Sequence, residues 1–149
     1  MATTNTVRLH RVLRTPPDRL YRAFVEPRAF ERWLPPFGST GQVHSMEPVV
    51  GGAWRMSFTN FGSGHSHSFG GKYLELVPGR RIAYDATFDD PNLPGTMKTT
   101  VTLTPVSCGT EMSVVQEGIP DVIPVEMCYL GWQESLLALA QLVEPNIPG

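Results

Sequence analysis

No run of like charge interrupts this sequence: 12 Lys and Arg stand against 14 Asp and Glu, a net charge of -2 spread over 149 residues. Without a basic stripe there is nothing to track a phosphate backbone, so nucleic acid is not an expected partner. Cysteine is scarce as well. Its 2 copies, Cys108 in a Ser-Cys-Gly turn and Cys128 in an apolar stretch with helical spacing, do not make a disulfide framework, and a reducing compartment is expected. The longest apolar run, Leu136 to Val143, is far short of the ~20 residues that cross a bilayer. The opening MATTNTVRLHR has no apolar secretory core. The expectation is a soluble, cytoplasmic protein without membrane insertion.

What is present points to a turn-rich sheet protein. Glycine and proline each occur 14 times, apolar residues make up 41% and charged residues 17%. That balance, at this length, predicts one globular domain over residues 1–149 with a sizeable core. Alternation over Val7 to Arg14 predicts a first strand. Thr15-Pro16-Pro17-Asp18 then reads as a helix start, with Thr15 as the cap. Leu20, Tyr21, Phe24 and Val25 recur at helical spacing until Pro27, and a second short helix carries Phe30, Trp33 and Leu34. Period two takes over at Val43 to Val49 and Ala53 to Asn60, joined by a Gly51-Gly52 turn. It returns in Ser68 to Val77, Arg81 to Phe88, Met97 to Val106 and Thr110 to Glu117. A helix from Val122 to Val143, apolar around most of its circumference, must be buried on more than one side.

This order, β-αα-β6-α, predicts an α+β fold in which a curved seven-stranded antiparallel sheet wraps the C-terminal helix, with the two short helices closing one end. A sheet curved that far leaves space one helix does not fill. The inward strand positions include Trp54, Met56, Phe58, Phe69 and Tyr84; the helix offers Met127, Leu130, Gly131 and Glu134. Mid-helix Gly131 costs about 1 kcal/mol relative to alanine. It is explained either by close helix-on-sheet packing or by room for a ligand. Glu134 shares a stripe with Met127 and Gly131, facing the pocket or lying solvated at the helix margin. Trp33 is read as either core or a gate over the cavity, and Trp132 as locking the helix to the outer wall.

Several stretches carry a family likeness. They are Arg11-x3-Thr15-Pro16-x4-Tyr21-x2-Phe24-x2-Pro27-x5-Trp33, Gly51-Gly52-x-Trp54-x-Met56, Gly71-x-Tyr73-x-Glu75-Leu76-x-Pro78, Val101-x-Leu103-x-Pro105 to Gly109-Thr110, Glu117-Gly118-Ile119-Pro120, and Gly131-Trp132-x3-Leu136-x2-Leu139. In this order the chain resembles the START-like, helix-grip superfamily (SRPBCC), in the branch named for the activator of the heat-shock-protein-90 ATPase. The resemblance implies a cavity between sheet and final helix. Relatives hold lipids, polyketides, hormones or drugs there, and some cyclise or dehydrate them. Family membership does not supply a reaction.

The leading expectation is binding of a small hydrophobic or aromatic molecule, without turnover, between Trp33, Trp54, Met56, Phe58, His67, Phe69, Tyr84, Gln116, Met127, Leu130, Gly131 and Glu134. The alternatives are a cyclase or hydratase using His67 and Glu134 as proton carriers, with Tyr84 and Gln116 as further candidates, and a co-chaperone-like stress protein. No G-x-S-x-G elbow or phosphate-cradling glycine loop accompanies them. His65-x-His67 with His44 lacks a Cys or acidic ligand at useful spacing, so no metal and no cofactor is expected. A monomer or homodimer is compatible with the sequence.

Overall fold

The computed structural model describes residues 5–148. Strand β1, Val7–Leu13, buries Val7 and Leu13 and exposes Arg8, His10 and Val12. Helix α1, Pro17–Val25, follows with an extended Pro16 at its N-cap and no side-chain capping bond. Thr15, the expected cap, stands one position too early to reach the free amides of the first turn. It is buried instead, its carbonyl accepting a 2.7 Å hydrogen bond from Thr110 Oγ1. Glu26 ends α1 and begins α2, Pro27–Trp33, because Pro27 cannot donate to the preceding turn. These helices bury Leu20, Ala23, Phe24, Phe30 and Trp33.

Six further strands follow: β2 Ser39–Met46, β3 Ala53–Asn60, β4 Ser66–Val77, β5 Arg81–Phe88, β6 Met97–Val106 and β7 Gly109–Glu117. They form one antiparallel sheet in the order β1-β7-β6-β5-β4-β3-β2, and α1 and α2 carry the chain from one edge strand to the other. Strand β2 begins earlier and ends earlier than its alternation suggested. Pairing of Ser39 with Asn60 recruits its start, and Pro48, lacking an N–H, keeps it from running on to Val49. Register shifts at Val43/Ser45 and Tyr73/Glu75 mark bulges that bend the sheet. Gly70 and Gly71 add to the curl: a Cβ on Gly71 would stand 2.0 Å from the Asp85 carbonyl oxygen, so only glycine lets β4 and β5 approach this closely.

Helix α3, Val125–Val143, lies in the grip of this sheet. It starts three residues later than its apolar pattern, because Pro124 holds the residue before it out of helical geometry and itself serves as the N-cap. The result is an α+β helix-grip fold: a curled seven-stranded half-barrel closed by a C-terminal helix. No helix among the described residues is long and apolar enough to cross a membrane.

Candidate functional site

Alternation along β3, β4 and β5 turns Trp54, Phe58, Phe69, Tyr84, Ala86 and Phe88 toward α3, and with them the sheet frames a cavity of about 190 Å³. Met97 of β6 and Gln116 of β7 extend the wall. Leu34 and Pro36, just after α2, and Ile123, just before α3, close the sides. The helix contributes Cys128, Gly131, Trp132 and Ser135. A Cβ built on Gly131 would meet nothing within 4 Å, so the missing side chain leaves open space rather than a tight contact.

Among the described residues no charged side chain lines this cavity. Burial pushes the Tyr84 hydroxyl far above its ordinary range, against a smaller opposing effect of its hydrogen bond with Thr99, and burial likewise raises the Cys128 thiol. Both groups are therefore neutral at physiological pH. Polar groups in the wall are organised as a chain. Trp132 Nε1 donates to Gln116 Oε1 at 3.0 Å, and Gln116 Nε2 donates to Thr99 Oγ1 at 3.4 Å. Ser135 Oγ turns away to the Leu34 carbonyl at 2.6 Å, tying α3 to the end of α2. Trp54 Nε1, by contrast, is buried without a partner among the described residues, an arrangement that costs about 1–3 kcal/mol.

Of the residues expected to form the site, the structure brings together Trp54, Phe58, Phe69, Tyr84, Gln116 and Gly131. His67 stands at the rim, its ring 5.8 Å from that of Phe58 and 6.4 Å from that of Phe88. The others lie elsewhere. Met56 is wholly buried in the core and does not reach the cavity. Trp33 is core rather than gate: its Nε1 donates to the Ala23 carbonyl at 2.8 Å, and its ring stands edge-on to Phe24 and Phe30.

The helix stripe also needs correction. Met127 and Leu130 are 59% and 55% exposed, and Leu130 and Glu134 line a surface hollow of about 490 Å³ outside α3, beside Val12 and Phe37. Glu134 Oε1 accepts from the Phe37 backbone N–H at 3.1 Å. The physical reason is helix phase. Trp132, Leu136, Leu139 and Val143 are the deeply buried apolar positions of α3, and a helix anchored on them carries Cys128, Gly131 and Ser135 inward and Met127, Leu130 and Glu134 outward. Trp132 is thus part of the cavity wall, not a lock to the outside. A stripe drawn through those four apolar positions would have found Cys128 and Ser135. Leu34, Pro36 and Ile123 lie in connecting segments that carry no periodic signal.

His67 and Glu134 consequently do not face one another across a shared space. Among the described residues no three His, Cys, Asp or Glu side chains cluster as metal ligands. His44 Nε2 pairs with Ser57 Oγ at 2.9 Å.

Comparison with known proteins accords with this architecture. The crystal structure of a Chromobacterium violaceum protein is 60% identical, covering 95% of this chain and 99% of that one, with a TM-score of 0.94. A Rhodobacter sphaeroides protein shares the fold at 21% identity, with coverage of 93% and 91% and a TM-score of 0.80. So does a Silicibacter pomeroyi protein at 19% identity, with coverage of 91% and 95% and a TM-score of 0.79. No curated protein matches the chain. The family model for Activator of Hsp90 ATPase homolog 1-like protein matches residues 14–144, and the chain belongs to that family.

Proposed function

We propose that the chain is a ligand-binding domain that holds a small apolar or aromatic molecule between the curved sheet and α3, without turning it over. One observation carries this reading: an apolar cavity of about 190 Å³ lies beside a glycine in the middle of α3. Protein cores are normally packed with few voids larger than a water molecule. Alanine at that position would favour the helix by about 1 kcal/mol. The glycine therefore costs stability and leaves volume. Membership of a family resembling the START-like proteins adds support. As part of the same reading, the protein works in a reducing cytoplasm, where its exposed, free Cys108 stays a thiol.

The test uses the two tryptophans in the cavity wall. Titration of a library of hydrophobic compounds, followed by intrinsic fluorescence and by calorimetry, is expected to show saturable uptake. Gly131→Leu, which fills the open space, is expected to weaken that uptake at least about tenfold while the circular dichroism spectrum stays the same. Uptake unaltered by this substitution refutes the cavity as the binding site.

A further inference from the structure

The face of α3 turned away from the cavity is apolar where solvent would favour polar side chains. Met127, Leu130 and Leu137 are each more than half exposed. Val12 of β1 and Phe37, just after α2, continue the surface at about half exposure, and with Leu130 and Leu137 they border the hollow of about 490 Å³. Large side chains exposed to this degree make a patch on the order of 500 Å², near the upper end of what monomeric proteins leave uncovered.

The hollow lies between β1 and α3, which run side by side in the same direction. The Arg8 backbone N–H donates to the Tyr129 hydroxyl at 3.2 Å, and the Arg14 backbone N–H donates to Glu144 Oε2 at 3.0 Å. Midway between these two ties stand Arg11 on the strand side and Glu134 on the helix side, both lining the hollow. Among the described residues neither has an ion-pair partner. Arg11 Nη1 donates to the His10 carbonyl at 2.8 Å, and Glu134 Oε1 accepts from the Phe37 backbone N–H.

A surface with an unpaired cation on one side and an unpaired carboxylate at the same height on the other is complementary to itself. A twofold axis along the hollow lays the helix side of each copy on the strand side of the other. Arg11 then meets the second copy's Glu134, Leu130 and Leu137 come over its Val12, and symmetry makes every such contact twice. An anionic lipid surface would instead call for a basic cluster, and here Glu134 and Glu144 outnumber Arg11. The apolar patch falls short of the roughly 800 Å² per partner of a standard interface. The charged rim enlarges it to a weak, reversible one.

We infer that the outer face of α3 and the adjoining edge of β1 form a homodimer interface, its occupant being a second copy of this chain.

Sedimentation velocity on the full chain, from micromolar to millimolar concentration, is expected to show a monomer–dimer equilibrium. Leu137→Glu is expected to weaken the dimer at least about tenfold. Arg11→Glu, which sets carboxylate against carboxylate at both ends, is expected to weaken it about tenfold. Adding Glu134→Arg to Arg11→Glu is expected to restore the affinity to within about threefold of the parent chain. Circular dichroism checks each variant for folding; should Leu137→Glu fail that check, the charge reversal and its rescue decide. A chain that stays monomeric throughout overturns the inference and leaves the patch to a different partner. A dimer indifferent to Leu137→Glu, or a loss in Arg11→Glu that Glu134→Arg does not reverse, overturns it too.

Discussion

The two ends of the core are built from the same kind of side chain and reach opposite outcomes. At the end closed by α1 and α2, the Trp33 ring lies 4.8 Å from Phe24 and 5.5 Å from Phe30, the indole N–H is satisfied, and the Tyr73 hydroxyl lies 3.5 Å from the Phe24 carbonyl oxygen. At the other end Phe58, Phe69 and Phe88 also stack edge to face, at 4.8 and 6.0 Å, yet they border an open space. The difference lies in what faces the sheet. The short helices present Leu20, Phe24 and Phe30, whereas α3 presents Cys128, Gly131 and Ser135, whose side chains are too small to fill the gap. Aromatic content alone does not make a pocket; small residues on the opposing helix do.

This contrast is most sharply tested by truncation. Trp33→Ala removes a fully buried ring and its hydrogen bond and is expected to cost about 3–5 kcal/mol in urea unfolding. Phe58→Ala, at a half-buried ring that already borders a void, is expected to cost about 1–2 kcal/mol, since fewer packing contacts are lost. Equal costs would mean that both ends are packed alike.

Alkaline pH probes one phenol at each end. Burial raises both Tyr73 and Tyr84 above their ordinary value of 10.0. The unfolded chain releases these protons first, so their contribution is unchanged below pH 10 and stability falls as pH rises beyond it. The fall is expected to reach about 1.4 kcal/mol per pH unit for each tyrosine. Tyr73→Phe and Tyr84→Phe should each flatten the curve measured by urea titration at increasing pH. A profile untouched by Tyr84→Phe would show that the cavity admits enough water to solvate the phenolate.

The fold was readable because its signals are local. Period-two alternation marked the strands, Pro27 split the first helices, and the length of the last apolar segment required a covering sheet. The same alternation placed Trp54, Phe58, Phe69 and Tyr84 on the inner face. The phase of α3 was not readable in the same way. A helix with Met127, Leu130, Leu137 and Leu142 all exposed has no clean polar face to orient it. Anchoring the stripe on Gly131 and Glu134, rather than on Trp132, Leu136, Leu139 and Val143, rotated the predicted surface and carried Glu134 into a cavity it does not enter. The donor left over on Trp54 is a property of the assembled wall. No spacing in the sequence encodes it.

The smallest expected effect tests this helix phase directly. Glu134 is on the outer face of α3, where its carboxylate accepts from the Phe37 backbone N–H. Glutamine keeps an acceptor oxygen at the same position, so Glu134→Gln is expected to change stability by no more than about 0.5 kcal/mol and to leave uptake of the hydrophobic compounds within twofold of the parent chain. Gly131, three residues away but turned inward, should respond strongly in the same assay, since a helix sends positions 131 and 134 to different sides once Trp132 and Leu136 are anchored in the core. A tenfold loss of affinity in Glu134→Gln would bring that carboxylate into the binding site and rotate α3 back to the phase its apolar pattern first suggested.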